Sequence, residues 1–499
     1  MNRIQQCFSK LAIVAFAAVL AATWAPGSRA EDQPPDKTPA QPGATAQPAA
    51  AAQPTADERL AELEKEVALL QQEIASLKSE STPGIKTAAF VEPAAGAFTP
   101  SPAADDAPAK INLAGLLGPI TISGFGDAYY GYDYNHPPSN RSGLRFFEAP
   151  TNGFSFNIAE LILDKAPDAT SPDGRLGYHV SAGYGNAAQI VNGSDIAGDG
   201  SQFFVKEAYA SYLAPIGKGL TVTAGKFVTN AGAEVIESNA NWNYSRSMLF
   251  YYAIPFFHFG AKAAYTFNPK WAFNVSLVNG WNNSFITHAF GTTQSSGLTY
   301  GGTLVYTPSM KWSATENFYA GPVIDASFSG GAQTINDWKQ LSDTVIGYTP
   351  NAKWAFEVNG DYGFGPKSYT CPDTATGAER PEVFVTGCTG GPKFTWWGIA
   401  GYAKYTLSPK TNFATRYEYY EDPNGYTGLL NGTRGHAQEV TGTYSYNLTS
   451  GLLVRGEYRY DFASSPFFPK FEKGTLHFVR EQNTATVSFV YSFSSANLK

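Results

Sequence analysis

No stretch of this 499-residue chain is long and apolar enough to cross a membrane as a helix. The apolar run Leu11–Ala22 stops well short of the roughly 20 residues a spanning helix needs, which excludes a helical membrane architecture. Charge is scarce as well, at 15 % of residues with a formal net charge of −7, so the basic footing of a nucleic-acid binder is missing. Cysteine is limited to Cys7, Cys371 and Cys388, with no histidine between the last two, too few ligands for a metal site. The six histidines (136, 179, 258, 288, 436 and 477) are scattered and lie in no GxSxG or HExxH context. A hydrolase would need a nucleophile beside a base, so neither an enzyme nor a cofactor is expected.

Aromatic residues, at 14 %, and glycine, with 49 residues, are well represented. They fall in a two-residue alternation that occupies the chain from Pro119 onward. The last such segment, Thr484–Phe493, sets Ala485, Val487, Phe489, Tyr491 and Phe493 on one face. Thr484, Thr486, Ser488 and Ser492 lie on the other, with Val490 the exception. In LLVRGEYRYDF, Leu452, Val454, Tyr458, Tyr460 and Phe462 oppose Arg455, Glu457, Arg459 and Asp461. In WAFEVNGDYGF, Trp354, Phe356, Val358, Tyr362 and Phe364 oppose Glu357, Asn359 and Asp361. This pattern gives each strand one apolar and one polar wall. Candidate strands begin near residues 119, 154, 174, 202, 219, 257, 271, 296, 311, 341, 352, 394, 410, 434, 451 and 482.

A soluble sandwich alternates too, so further features are needed to choose. The connections TFNPKW (266–271), YTPSMKW (306–312), YTPNAKW (348–354) and TLSPKTN (406–412) are short. Others, such as 135–153, 231–256, 365–393 and 464–480, are long. Short turns at one end and long loops at the other, with a terminal aromatic strand, predict an antiparallel transmembrane β-barrel of about 16 strands over residues 119–493. Residues 494–499 form a short tail.

Residues 1–30 read as a secretory signal, with Arg3 and Lys10 before the apolar run and Ser28-Arg29-Ala30 as a cleavage site. Residues 31–56 and 81–118 are Ala/Pro-rich linkers expected to be disordered. Between them, residues 57–80 carry Leu60, Leu63, Val67, Leu70, Ile74 and Leu77 at alternating spacings of three and four. This is a heptad seam that predicts a short coiled-coil helix and self-association in the periplasm. β-Branched residues at a with Leu at d lean toward two strands. Export and a local Gly/Pro/Thr-rich setting predict a disulfide between Cys371 and Cys388. Closing that loop of about 17 residues is worth roughly 3 kcal/mol in the chain-entropy picture.

The segment GKFVTNAGAEVIESNANWNYSRSMLFYYAIPFFHFGAKAAYTF (225–267), preceded by ELILDKAP and VKEAYASYLAP, resembles the β-barrel porin (OmpL-like) family of outer-membrane proteins, as does ITISGFGDAYYGYDYN at the barrel's start. The resemblance implies a water-filled pore in the bacterial outer membrane for small hydrophilic solutes or ions. Porin architecture further implies a third long loop folded into the barrel, and a trimer. An alternative role is a structural tether from the membrane to the cell wall through the N-terminal helix.

Inward charge carries the functional content of this reading. Arg416 and Glu418, then Glu439, then Arg455, Glu457, Arg459 and Asp461 fall on polar faces of successive strands, while Glu234, Glu237 and Arg246 lie in the third long connection. These are the candidates for pore lining or constriction, the arginines drawing anions and the glutamates cations.

Overall fold

The computed structural model describes residue 118 and residues 120–170, 173–195, 198–286, 297–324, 336–370 and 389–495. Sixteen strands form a closed antiparallel barrel. In chain order they are β1 (Thr121–Asp133), β2 (Gly153–Lys165), β3 (Leu176–Tyr184), β4 (Phe203–Ala214), β5 (Leu220–Val228), β6 (Phe257–Asn268), β7 (Trp271–Val278) and β8 (Thr299–Ser309), followed by β9 (Trp312–Ile324), β10 (Asn336–Tyr348), β11 (Trp354–Thr370), β12 (Thr389–Ser408), β13 (Thr411–Asp422), β14 (Gly435–Asn447), β15 (Leu452–Ala463) and β18 (Glu481–Ser494). β1 and β18 pair to close the ring, with Gly126 opposite Tyr491 and Tyr129 opposite Ser488. Closure leaves no open edge, so every ladder group has a partner inside the bilayer. The sixteen observed strand starts fall within a few residues of those expected from alternation.

Alternation sorts the side chains as expected. Val487, Phe489, Tyr491 and Phe493 are exposed on the outer surface. Val490, the exception on the polar face, is completely buried among apolar residues inside the barrel. The short turns carry cross-strand aromatic pairs: Trp271 stacks on Tyr306 at 4.1 Å, Trp312 on Tyr348 at 4.2 Å, and Trp354 lies 4.6 Å from Tyr405. Such rings suit a membrane–water interface.

The long connections with described residues lie at the opposite end: L1 (134–152), L2 (185–202), L3 (229–256), L4 (described at 279–286 and 297–298), L7 (423–434) and L8 (464–480). L2 contains a helix, α1 (Asn186–Gly193). L8 contains a hairpin of β16 (Phe468–Glu472) and β17 (Thr475–Val479). Residues 464–480, expected as a plain connection, thus hold two further strands. Lys473 and Gly474 both have positive φ, 52° and 79°, the backbone a two-residue hairpin turn requires. The signal segment, both linkers, the heptad seam and Cys371 and Cys388 lie outside the described residues.

Candidate functional site: a loop gripped inside the barrel

L3 turns inward and lies against the wall from β8 round through β15 to β18 and β1, where Asn239 donates to Ser492 at 3.1 Å and the Tyr244 hydroxyl to Asp127 at 2.9 Å. A loop placed there brings its own amide and carbonyl groups, and each must find a partner or lose the hydrogen bond it had in water. The inward charges supply those partners. Glu457 accepts from the Tyr244 and Ser245 amides at 2.6 and 3.0 Å. Glu418 accepts from the Met248 and Leu249 amides at 2.7 and 2.5 Å. Arg455 donates to the Ser238 and Asn241 carbonyls at 2.7 and 2.8 Å, and Arg459 to the Arg246 carbonyl at 2.7 Å. The wall's alternating signs thus match a backbone that offers donors and acceptors in turn.

Arg416 on β13 is the central joint. Its Nη1 lies 2.6 Å from Glu234 of L3 and donates to the Ser245 carbonyl at 2.6 Å, while its Nε pairs with Glu439 on β14. Glu234 also accepts from the Ser247 amide at 2.7 Å, which folds L3 back on itself. Upstream, the Gly232 amide donates to Asp343 at 2.8 Å and the Ala233 amide to Asn359 at 3.3 Å. Charge-assisted bonds of this kind are about twice as strong as neutral ones.

L1 completes the clasp. Arg145 pairs with Asp461 at 2.7 Å, and Arg459 donates to the same carboxylate at 2.9 Å. Arg246 pairs with Glu148 at 2.5 Å. Burial pushes the Glu148 carboxyl up to about 7, the nearby Arg246 guanidinium only partly opposing it. Above the ionic layer, Met248, Leu249, Phe250 and Phe256 of L3 pack with Leu144, Phe147, Trp396, Tyr420, Leu429 and Leu430 in one buried apolar cluster. Trp396 fits flat against β11 because its neighbour is Gly363, where a Cβ would meet the indole at 2.0 Å. Its Nε1 donates to the Ala253 carbonyl at 3.2 Å.

Nine of the ten candidate charges therefore belong to one network between L3, L1 and the β13–β15 wall, and all nine are buried. Glu237 stands apart. It reaches across to β4, where it accepts from Lys206. Lys206 in turn lies 2.5 Å from Glu160 and 3.8 Å from Glu207. His179 sits between Asp164 at 2.8 Å and Glu207 at 3.3 Å. This second group is not legible in the alternation of the sequence. Glu160 and Asp164 do share a face in ELILDKAP, but that face also carries the apolar Ile162. On β4 the register shifts beside Lys206, so that Lys206 and Glu207 are both buried although adjacent. Strict alternation hides such a pair.

The sequence model of the OmpL-like beta-barrel porin-2 family matches residues 119–493, the whole barrel. The chain belongs to this family. It is accordingly an outer-membrane porin, a channel-forming barrel rather than an enzyme by family and fold. Solved structures similar to this porin include the anion-selective porin from Comamonas acidovorans, at 10 % identity and a TM-score of 0.49 over 75 % of this chain and 99 % of that one. The outer membrane channel DcaP of Acinetobacter baumannii is 14 % identical, with a TM-score of 0.47 over 75 % and 97 % of the two chains. OmpF of Salmonella typhi, solved with daunomycin, is 12 % identical, with a TM-score of 0.46 over 75 % and 97 %. No curated protein matches the chain.

Proposed function

We propose that this porin passes small hydrophilic solutes or ions by diffusion, and that L3 is its constriction. The observation that carries this reading is the attachment of L3 to the β10–β15 wall through buried charge-assisted bonds to its own backbone. A loop secured in that way narrows the lumen without leaving unpaired polar groups, and its height in the barrel is fixed by side chains on rigid strands. In this reading Arg416, Glu418, Glu439, Arg455, Glu457, Arg459 and Asp461, with Glu234 and Arg246, position the constriction rather than face the moving solute. Purified protein reconstituted into planar bilayers is expected to raise conductance in discrete steps. Folded protein that inserts without any such steps would remove the diffusion role.

We further propose that the chain self-associates, with a trimer as the expected form. The heptad seam from Leu60 to Leu77 supports a periplasmic helix that contributes to assembly. Contact of that helix with the cell wall is a separate role, which a conducting deletion variant with a weakened envelope would reveal.

A further inference from the structure

On the outer wall of β8 to β11, Leu304, Phe318, Ile346 and Val358 are apolar and exposed, as lipid requires. Glu316 stands among them. Its neighbours Thr315 and Asn317 are buried on the inner face of β9, so alternation sends Glu316 outward. On β10 Leu341, Asp343 and Val345 are buried inside, which sends Ser342 and Thr344 outward as well. Thr344 lies opposite Glu316 in register, and Leu304 lies opposite it on the other side. The Ser342 and Thr344 hydroxyls donate to the Glu316 carboxyl at 2.6 and 2.5 Å.

This polar group sits at mid-depth. Trp312 stacks on Tyr348 at the short-turn end, and Tyr300 on Trp338 at the long-loop end. At ~3.3 Å per residue, β10 covers about 33 Å from Trp338 to Tyr348. With a tilt of about 40° that is roughly 25 Å across the bilayer, the height of an outer-membrane apolar band. Ser342 and Thr344 lie midway along that stretch, away from headgroups and water. Acyl chains offer a carboxyl neither a hydrogen-bond donor nor a counter-charge. A second protein surface at the same depth offers both.

A neighbouring copy related by an axis along the bilayer normal keeps each residue at its own depth. If a two-fold axis passes between β9 and β10, β9 of one copy faces β10 of the other. Glu316 of each then meets Thr344 of the partner subunit rather than a second carboxylate. The patch is self-complementary, acid against hydroxyl in both directions, as an isologous contact requires. Resting on the reading that the chain self-associates, we infer that the β9–β10 outer face is a two-fold contact between copies of this barrel. Pairing agrees with the lean of the heptad a and d positions toward two strands. It is distinct from the contacts that build a trimer, which are heterologous.

The test is the distance between nitroxide labels on neighbouring copies of reconstituted full-length protein, read by double electron–electron resonance. Labels go on Ile346→Cys, beside the group, or on Leu161→Cys, exposed on β2 eight strands round the ring. Cys371 and Cys388 are replaced by serine in both. Labels at 346 are expected within about 20 Å of each other, the ~10 Å between packed sheets plus two label arms. Labels at 161 are expected to lie farther apart by more than a barrel width. Adding Glu316→Leu, which suits lipid but offers Thr344 nothing across the axis, is expected to lower the short-distance fraction severalfold. If that variant does not fold, Ser342→Ala with Thr344→Val is expected to do the same. Labels at 346 no closer than those at 161, or a short distance unmoved by these variants, overturn the two-fold contact and leave self-association standing. Absence of any coupling at both positions overturns the self-association reading, and the contact with it.

Discussion

Replacing Arg416 with methionine tests the L3 attachment most directly. The arginine side chain is 0 % exposed and is shared by Glu234 of the loop, the Ser245 carbonyl and Glu439 of the wall. Methionine fills much of the volume but removes the charge. Three bonds to L3 are lost, to Glu234, the Ser245 carbonyl and, at 3.4 Å, the Ser245 hydroxyl, at roughly 1.5–3 kcal/mol for each well-formed bond to a charged group. The larger effect is that Glu234 and Glu439 stay buried with less counter-charge, and breaking a buried pair from one side costs about 3–5 kcal/mol. Arg459 lies 3.4 Å from Glu439 and takes up part of that burden, and Glu418, Glu457 and Arg455 still hold their own backbone partners. L3 is therefore expected to loosen around Glu234 without leaving the lumen. In single-channel records this should appear as higher and noisier conductance, and in heat-modified gel mobility as unfolding at lower temperature. Adding Glu234→Gln to Arg416→Met removes the stranded loop charge, so the double variant should be less destabilised than the two singles summed, with a coupling of about 0.5–3 kcal/mol. Wild-type conductance and unfolding temperature in Arg416→Met, together with strict additivity in the double variant, would refute the argument.

Glu148 should make the clasp sensitive to pH: a carboxyl held at about 7 in the folded protein against 4.5 in its ordinary state favours folding below 4.5, and that contribution, up to roughly 3 kcal/mol, is lost as pH rises through about 7. Glu148→Gln should flatten this part of the stability–pH profile, and an unchanged slope would exclude Glu148 as its source. Asp343 and Asp361 stand opposite each other in register, both buried, and neither is ion-paired with a basic side chain among the described residues. Asp361→Asn relieves that juxtaposition and should leave unfolding temperature equal to or above that of the wild type, whereas a marked fall would mean the second carboxylate serves a bound ion. Peptide mapping with and without reductant should recover Cys371 and Cys388 in one disulfide-linked fragment, and two free thiols in exported protein would contradict the pairing. Charged replacements at Leu70 and Ile74 should lower the oligomer mass in mild detergent if the seam joins copies, and an unchanged mass would separate the helix from assembly.

How much of this protein can be read from its residues follows from periodicity. A side chain on a strand points to one of two faces, so alternation separated Phe489 and Tyr491 from the polar face and set Arg455, Glu457, Arg459 and Asp461 together, while the choice of which face meets lipid came from the turns and the terminal aromatic strand. Proline-marked short turns against long connections then oriented the strands, and closure followed because an open edge has no place in lipid. None of this required knowing which strand lies beside which beyond chain order, since antiparallel neighbours in the barrel are successive in sequence apart from the closing pair β1–β18 and the β16–β17 hairpin interposed within L8.

What the inward charges do was decided only in three dimensions. Their partners are the amides and carbonyls of L3 some two hundred residues away, and a backbone carries no sequence signal of its hydrogen-bonding needs. Whether Arg416 faces water or Glu234 depends on where a long loop settles, which is a competition among many contacts rather than a local preference. The same holds for the β2–β4 group. A register shift at Lys206 and an interposed Ile162 break the alternation that made the other rows legible, and Glu237 joins them only because L3 crosses the lumen. The strand period is a local property and survives in the sequence, while charge partnership across a lumen is not local and appears only once the barrel has closed around its loop.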